Sequence, residues 1–138
     1  MPENMADAHA LSAPVRVLLV DDEQGFVDIL AKRLRKRNID VVSALSGKDA
    51  LQALRGQSFD IAVLDLKMEG MDGIEVLKVF KAMEPDMPVI ILTGHGSEEA
   101  ARDGLALGAA DYLMKPCDLE ELIRIITRNL VHDSRVRT

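Results

Sequence analysis

The sequence predicts an α/β fold: a three-layer α/β/α sandwich built on a five-stranded parallel sheet with five helices. Two observations carry this. Five short apolar runs recur along the chain, each followed by a longer stretch with apolar residues at helical spacing. The runs are continuously apolar rather than alternating, as strands are when helices cover both faces of their sheet.

The first run, Val15–Val20, leads into a stretch where Phe26, Ile29, Leu30 and Leu34 share one helical face and are expected to be buried. That stretch ends in Lys32-Arg33-Leu34-Arg35-Lys36-Arg37. Cations suit a helix C-terminus, so the run reads as a solvated face; the functional alternative is a docking surface for an acidic partner. The second run, Ile39–Ser43, precedes a helix over Gly47–Leu54, and the third, Ile61–Leu64, precedes one over Ile74–Met83. Val89–Leu92 is followed by the Ala-rich segment Glu98–Leu107, with Gly108 as its terminator. Ala110–Met114 is the fifth run. The last helix opens at Asp118, an N-cap with Glu121 three residues on, and is expected to bury Leu119, Leu122, Ile123, Ile126 and Leu130.

Residues 1–14 are small, polar and unperiodic and read as a mobile leader. The folded domain is expected over 15–131, and 132–138 is a short tail.

Composition narrows the function. A chain of 138 residues fits one domain with a real core. Aromatics make up only 3%, so the core is aliphatic and no stacking platform for single-stranded nucleic acid is present. The net charge of -6 argues against direct nucleic-acid binding. No basic-then-apolar signal opens the chain, and no apolar run approaches the length of a membrane span, so a soluble, cytoplasmic protein without membrane insertion is expected. The single cysteine, Cys117, cannot form an internal disulfide, which suits a reducing compartment; it reads as structural, with a reactive thiol as the alternative. The three histidines are too dispersed for a zinc site.

Chemistry collects at the carboxyl ends of the runs, where open parallel sheets bind their ligands. The first run ends in Asp21-Asp22-Glu23, the third in Asp65, the fourth in Thr93 and the fifth in Lys115-Pro116. Two carboxylates about 4 Å apart repel by about 4 kcal/mol at an effective dielectric near 20. Such a cluster raises its own pKa values or demands a cation, and hard oxygen ligands suit Mg²⁺. Lys115 offers a point charge and Thr93 a hydroxyl to a phosphate oxygen. The set suits a phosphoryl group with one carboxylate as nucleophile. Taken singly, each residue is equally an ordinary loop cap or turn former.

Five segments together carry a resemblance: VLLVDDE at Val17–Glu23, the apolar run into Asp65, GMDGIEVL at Gly70–Leu77, ILTGHG at Ile91–Gly96 and GAADYLMKP at Gly108–Pro116. The chain resembles the receiver domains of bacterial two-component and phosphorelay response regulators, the chemotaxis receiver among them. The resemblance implies a flavodoxin-like sheet in the order 2-1-3-4-5. It implies that Asp65 is the phosphoacceptor, served by a sensor histidine kinase or a histidine phosphotransfer protein. It also implies Mg²⁺ bound by Asp22, Asp65 and the backbone carbonyl of Lys67, with Asp21 acting through metal-bound water. Lys115 would pair with the acyl phosphate, and its bond to Pro116 would be cis.

The implied switch moves Thr93 toward the phosphoryl group and turns Tyr112 inward. This alters the face of the fourth helix, fifth strand and fifth helix, and so the affinity for a downstream output protein or domain. Tyr112 can equally be an ordinary half-buried strand tyrosine. Lys67 and His95, two residues beyond Asp65 and Thr93, stand where this family tunes phosphate lifetime, although His95 can equally be a passive loop residue. Many receivers carry proline where this chain has Glu69, which points to a looser or more acidic loop after Asp65.

The expected protein is therefore a phosphorylation switch, catalysing no more than its own phosphorylation and slow dephosphorylation. It is expected as a monomer or a phosphorylation-dependent dimer. The alternatives are a receiver excised from a larger DNA-binding or enzymatic regulator, and an aspartyl-nucleophile phosphatase. The phosphatase class needs a carboxylate where Lys67 stands. A flavodoxin-like cofactor carrier would need a phosphate-cradling loop where Asp21-Asp22-Glu23 would repel phosphate.

Overall fold

The computed structural model of the protein describes residues 14–94 and 96–131. Five strands, β1 (Val15–Val20), β2 (Ile39–Ala44), β3 (Ile61–Leu64), β4 (Val89–Thr93) and β5 (Asp111–Met114), alternate with five helices. The helices are α1 (Gln24–Arg35), α2 (Gly47–Gly56), α3 (Gly73–Met83), α4 (Glu98–Ala106) and α5 (Leu119–Val131). All five strands pair in parallel in the order 2-1-3-4-5. The expected fold class and strand order are those observed.

Two aliphatic cores flank the sheet. One lies under α2, α3 and α4 and is built around Leu18, Leu64, Leu77, Phe80 and Ile91. The other lies under α1 and α5 and includes Leu19, Leu34, Ile90, Leu122 and Ile126. Residues of one strand divide between the two, as the period of two requires.

Several boundaries and faces differ from the sequence expectation. Strand β2 runs to Ala44, β4 to Thr93, and β5 starts at Asp111 rather than Ala110, because pairing with neighbouring strands and not apolarity sets their ends. Helix α1 buries Val27, Leu30, Ala31 and Leu34, while Ile29 is 57% exposed and Phe26 half-buried. In α5, Leu119 and Ile123 are half-buried and Ile125 takes the core position. Adjacent helix residues point about 100° apart, so a small error of phase decides which of them reaches the core.

Two helix ends carry the signals expected of them. Gly108 has φ 113 and its amide closes on Leu105 O, ending α4 as expected. Asp118 Oδ1 accepts from the Glu120 amide at the start of α5. Part of the basic run is used internally: Arg37 is ion-paired with Glu120, and Arg35 Nη2 donates to Val41 O at 2.9 Å.

Candidate functional site

Strand register assembles the site. Val20 lies opposite Leu64, so Asp21 and Asp65 leave the sheet side by side, and the Asp65 amide donates to Val20 O at 2.9 Å. Thr93 lies opposite Met114, and the Lys115 amide donates to Thr93 O at 2.8 Å. Residues from four strand ends thereby meet at one edge.

Asp65 is 4% exposed. Its Oδ1 accepts from Thr93 Oγ1 at 2.8 Å and from the Lys67 amide at 3.0 Å, while Oδ2 faces Lys115 Nζ at 3.5 Å. Thr93 is fully buried, so its hydroxyl has few alternatives to this bond. The peptide bond between Lys115 and Pro116 is cis, as the resemblance implied.

Asp21 is 1% exposed and its Oδ1 accepts from the Glu23 amide at 3.0 Å. Its Oδ2 lies 2.6 Å from Lys115 Nζ in ion-pair contact, but no hydrogen bond of good direction reaches it. Burial pushes the Asp21 carboxyl above its ordinary value and outweighs the stabilising contacts of Lys115 and Glu23 N–H. Burial alone would lower the Lys115 ammonium. Close contacts with the carboxylates of Asp21 and Glu23, with the charges of Asp21 and Asp65, more than offset it, so its pKa is raised.

Asp22 is half-buried, and its Oδ2 accepts from the Glu69 amide at 2.8 Å. A proline at position 69 has no N–H to give. Glu69 therefore ties the loop after Asp65 to Asp22; of the looser or more acidic loop expected, the looser form is not what is observed. Side-chain oxygens of Asp21, Asp22 and Asp65 lie within 4.8 Å of one another. Three hard, anionic donors that close, one of them with an oxygen that no well-directed hydrogen bond reaches, fit a divalent cation. The arrangement could hold one.

Asp22, Glu23, Asp65, Lys67, Gly94 and Lys115 line an open cleft of about 310 Å³. Behind Asp65, Lys67–Met68 pairs antiparallel with Met71–Asp72 in a short hairpin turned at Gly70, φ 74. Lys67 is exposed, and a Cβ placed on Gly96 would stand 3.8 Å from its Nζ, so its side chain reaches toward the loop after β4. Tyr112 lies opposite Ile91 and is half-buried against the core under α4. His95 lies outside the described residues.

Sequence reasoning named Asp21, Asp22, Asp65, Thr93, Lys67 and Lys115, and the structure brings all six together. It missed three contributors. Glu23 Oε1 accepts from Lys115 Nζ at 2.7 Å, the Phe26 ring centroid lies 4.5 Å from the same nitrogen, and the Glu69 amide holds Asp22. Only the adjacency of Glu23 to the Asp pair hinted at any of these. Cys117 is a free thiol, half-buried, and desolvation with the nearby Glu121 and Asp118 pushes its pKa up, which disfavours the reactive thiolate.

A family model described as the response regulator receiver domain matches residues 17–127. The chain belongs to this family, the receiver domains of two-component signalling. It is 41% identical over 118 residues to the transcriptional regulatory protein ZraR of Escherichia coli K12, covering 86% of this chain and 27% of that protein. It is 35% identical to the DNA-binding transcriptional regulator NtrC of Klebsiella pneumoniae, covering 83% of this chain and 24% of the relative. The chain thus spans about a quarter of the length of these relatives. Among solved structures, the receiver domain of NtrX from Brucella abortus matches with TM-score 0.81 and 30% identity over 84% of this chain and 98% of that one. A CheY-like receiver protein from Methanospirillum hungatei JF-1 matches with TM-score 0.84 and 28% identity, over 89% and 98% respectively. Among the described residues no helix is long and apolar enough to cross a membrane.

Proposed function

We propose that the protein is a phosphoacceptor switch in which Asp65 takes a phosphoryl group from a phosphohistidine on a sensor kinase or phosphotransfer protein. The observation that carries this is Asp65 itself: a buried carboxylate at a strand end, held by Thr93 and the Lys67 amide and faced by Lys115. In the transfer, a carboxylate oxygen of Asp65 forms the new bond to phosphorus. The phosphorus–nitrogen bond breaks, and its electron pair stays on the imidazole.

Asp21, Asp22 and Asp65 are the side chains that would hold Mg²⁺, with the Lys67 carbonyl as a further ligand. The ion would supply positive charge to the transferring oxygens. Lys115 orients and neutralises one phosphoryl oxygen, and Thr93 can follow the added charge with its hydroxyl. Displacement of Thr93 opens space beside Tyr112, which carries the change to the face of α4, β5 and α5. A two-state element of this kind needs only a few kcal/mol of differential binding.

Lys67 and His95 tune phosphoryl lifetime through water access in this reading. The receiver itself catalyses only its own phosphorylation and slow dephosphorylation in this reading: an aspartyl phosphatase would carry a carboxylate where Lys67 stands. It works in the cytoplasm on an output protein or on further domains of a longer chain, a reading favoured by its two regulatory relatives.

The test is incubation with Mg²⁺ and acetyl phosphate followed by intact-mass measurement. One phosphoryl adduct on wild type and none on Asp65→Asn is expected. A wild type left unmodified by several donors would overturn the proposal.

A further inference from the structure

Glu23 is the N-cap residue of α1, yet its side chain accepts no hydrogen bond from that helix. A capping side chain at this position, most often Ser, Thr, Asp or Asn, turns its oxygen toward the unpaired first-turn amides. Glu23 instead reaches across the cleft, where Oε1 accepts from Lys115 Nζ at 2.7 Å, 92 residues along the chain.

Lys115 has three carboxylate neighbours. Asp21 Oδ2 lies at 2.6 Å, Glu23 Oε1 at 2.7 Å and Asp65 Oδ2 at 3.5 Å, with the Phe26 ring 4.5 Å from the ammonium. They differ in how readily they can leave. The Asp21 and Asp65 side chains are 2% and 5% exposed, whereas that of Glu23 is 63% exposed. Withdrawing from a buried partner strands a charge in low dielectric, while an exposed carboxylate exchanges its ammonium for water at little cost. Glu23 also lines the cleft that a phosphoryl group on Asp65 would enter, so two anions would face each other across one ammonium.

We propose that Glu23 is a positioning residue that holds Lys115 while Asp65 is bare and gives it up to the phosphoryl group. Its carboxylate thereby opposes occupation of the phosphoryl position and shortens the reach of Lys115 until it is displaced. The inference rests on the reading of Asp65 as phosphoacceptor and deepens it, because it names what Lys115 must release.

Beryllofluoride with Mg²⁺, a non-covalent mimic of an aspartyl phosphate, is the probe. It is titrated into the full chain, and bound fluoride is followed by fluorine NMR. Glu23→Gln preserves the size of the side chain and removes its charge. It is expected to tighten apparent binding by about three- to tenfold, a gain that shrinks as salt is raised. On a Lys115→Met background the same substitution is expected to gain less than about twofold, because no ammonium remains to be released. Glu23→Ala is a second variant with the same expectation. Unchanged affinity in both Glu23 variants, or an equal gain with and without Lys115, would overturn the inference. A wild type that neither binds beryllofluoride nor takes a phosphoryl group from acetyl phosphate overturns the phosphoacceptor reading itself, which separates the two failures.

Discussion

Thr93 Oγ1 donates a 2.8 Å hydrogen bond to Asp65 Oδ1, with the threonine fully buried and the aspartate 4% exposed. The bond spans two adjacent strands and gives a carboxylate in a crowded acidic site one of its two short donors. Thr93→Val keeps the shape and removes the donor, leaving Asp65 Oδ1 with the Lys67 amide alone. A loss of about 1–3 kcal/mol in unfolding free energy is expected from urea denaturation. Stability equal to wild type would show that water replaces the hydroxyl.

Asp21 makes stability depend on pH in a defined direction. Burial raises its carboxyl above the ordinary value of 3.8 despite the Lys115 and Glu23 contacts. A group whose folded pKa is raised contributes stability that is full below the unfolded value and lost as pH rises through the folded one. In chelator-treated buffer, Asp21→Asn should therefore melt higher than wild type at neutral pH. The gap should close as the pH falls toward 3.8, where the wild-type carboxyl is protonated too. A gap that stays constant across that range would contradict the assignment.

Metal ought to stabilise the fold, since the acidic trio exists only in the folded chain. With free Mg²⁺ about ten times its Kd, wild type should gain about 1.4 kcal/mol over a chelated sample. Asp22→Asn should lose most of that response in thermal melts. Equal responses from the two proteins would place the ion elsewhere.

Two glycines should respond oppositely to alanine. A Cβ on Gly73 would stand 2.4 Å from Leu66 Cα, in the turn directly after Asp65, whereas one on Gly25 meets nothing within 4 Å. Gly73→Ala is expected to cost about 1–3 kcal/mol through overpacking. Gly25→Ala is expected to be neutral or to gain up to about 1 kcal/mol by restricting the unfolded chain. Denaturation midpoints of the two variants on the same side of wild type would refute the contrast.

Much of this protein was legible before any coordinates. Continuous apolar runs such as Ile61–Leu64 and Val89–Leu92 announce buried parallel strands, because apolar periodicity is a local property of the chain. Gly108 and Asp118 announced helix boundaries for the same reason: capping involves atoms only a few residues away. Faces were harder. Ile29 shares a helical stripe with Leu30 and Leu34 yet stands 57% exposed, because which side of α1 meets the sheet depends on how the helix docks.

The sequence by itself determined which chemical groups end each strand: Asp21 after β1, Asp65 after β3, Thr93 closing β4 and Lys115 after β5. Their meeting follows from the register that pairs Val20 with Leu64 and Thr93 with Met114. What only the tertiary structure decided is how Lys115 is shared. Its bond to Glu23 joins residues 92 positions apart, and the Glu69 amide reaches Asp22 across 47. Such contacts depend on where packed elements place exposed side chains and loop amides. No local pattern of apolar and polar residues encodes that placement.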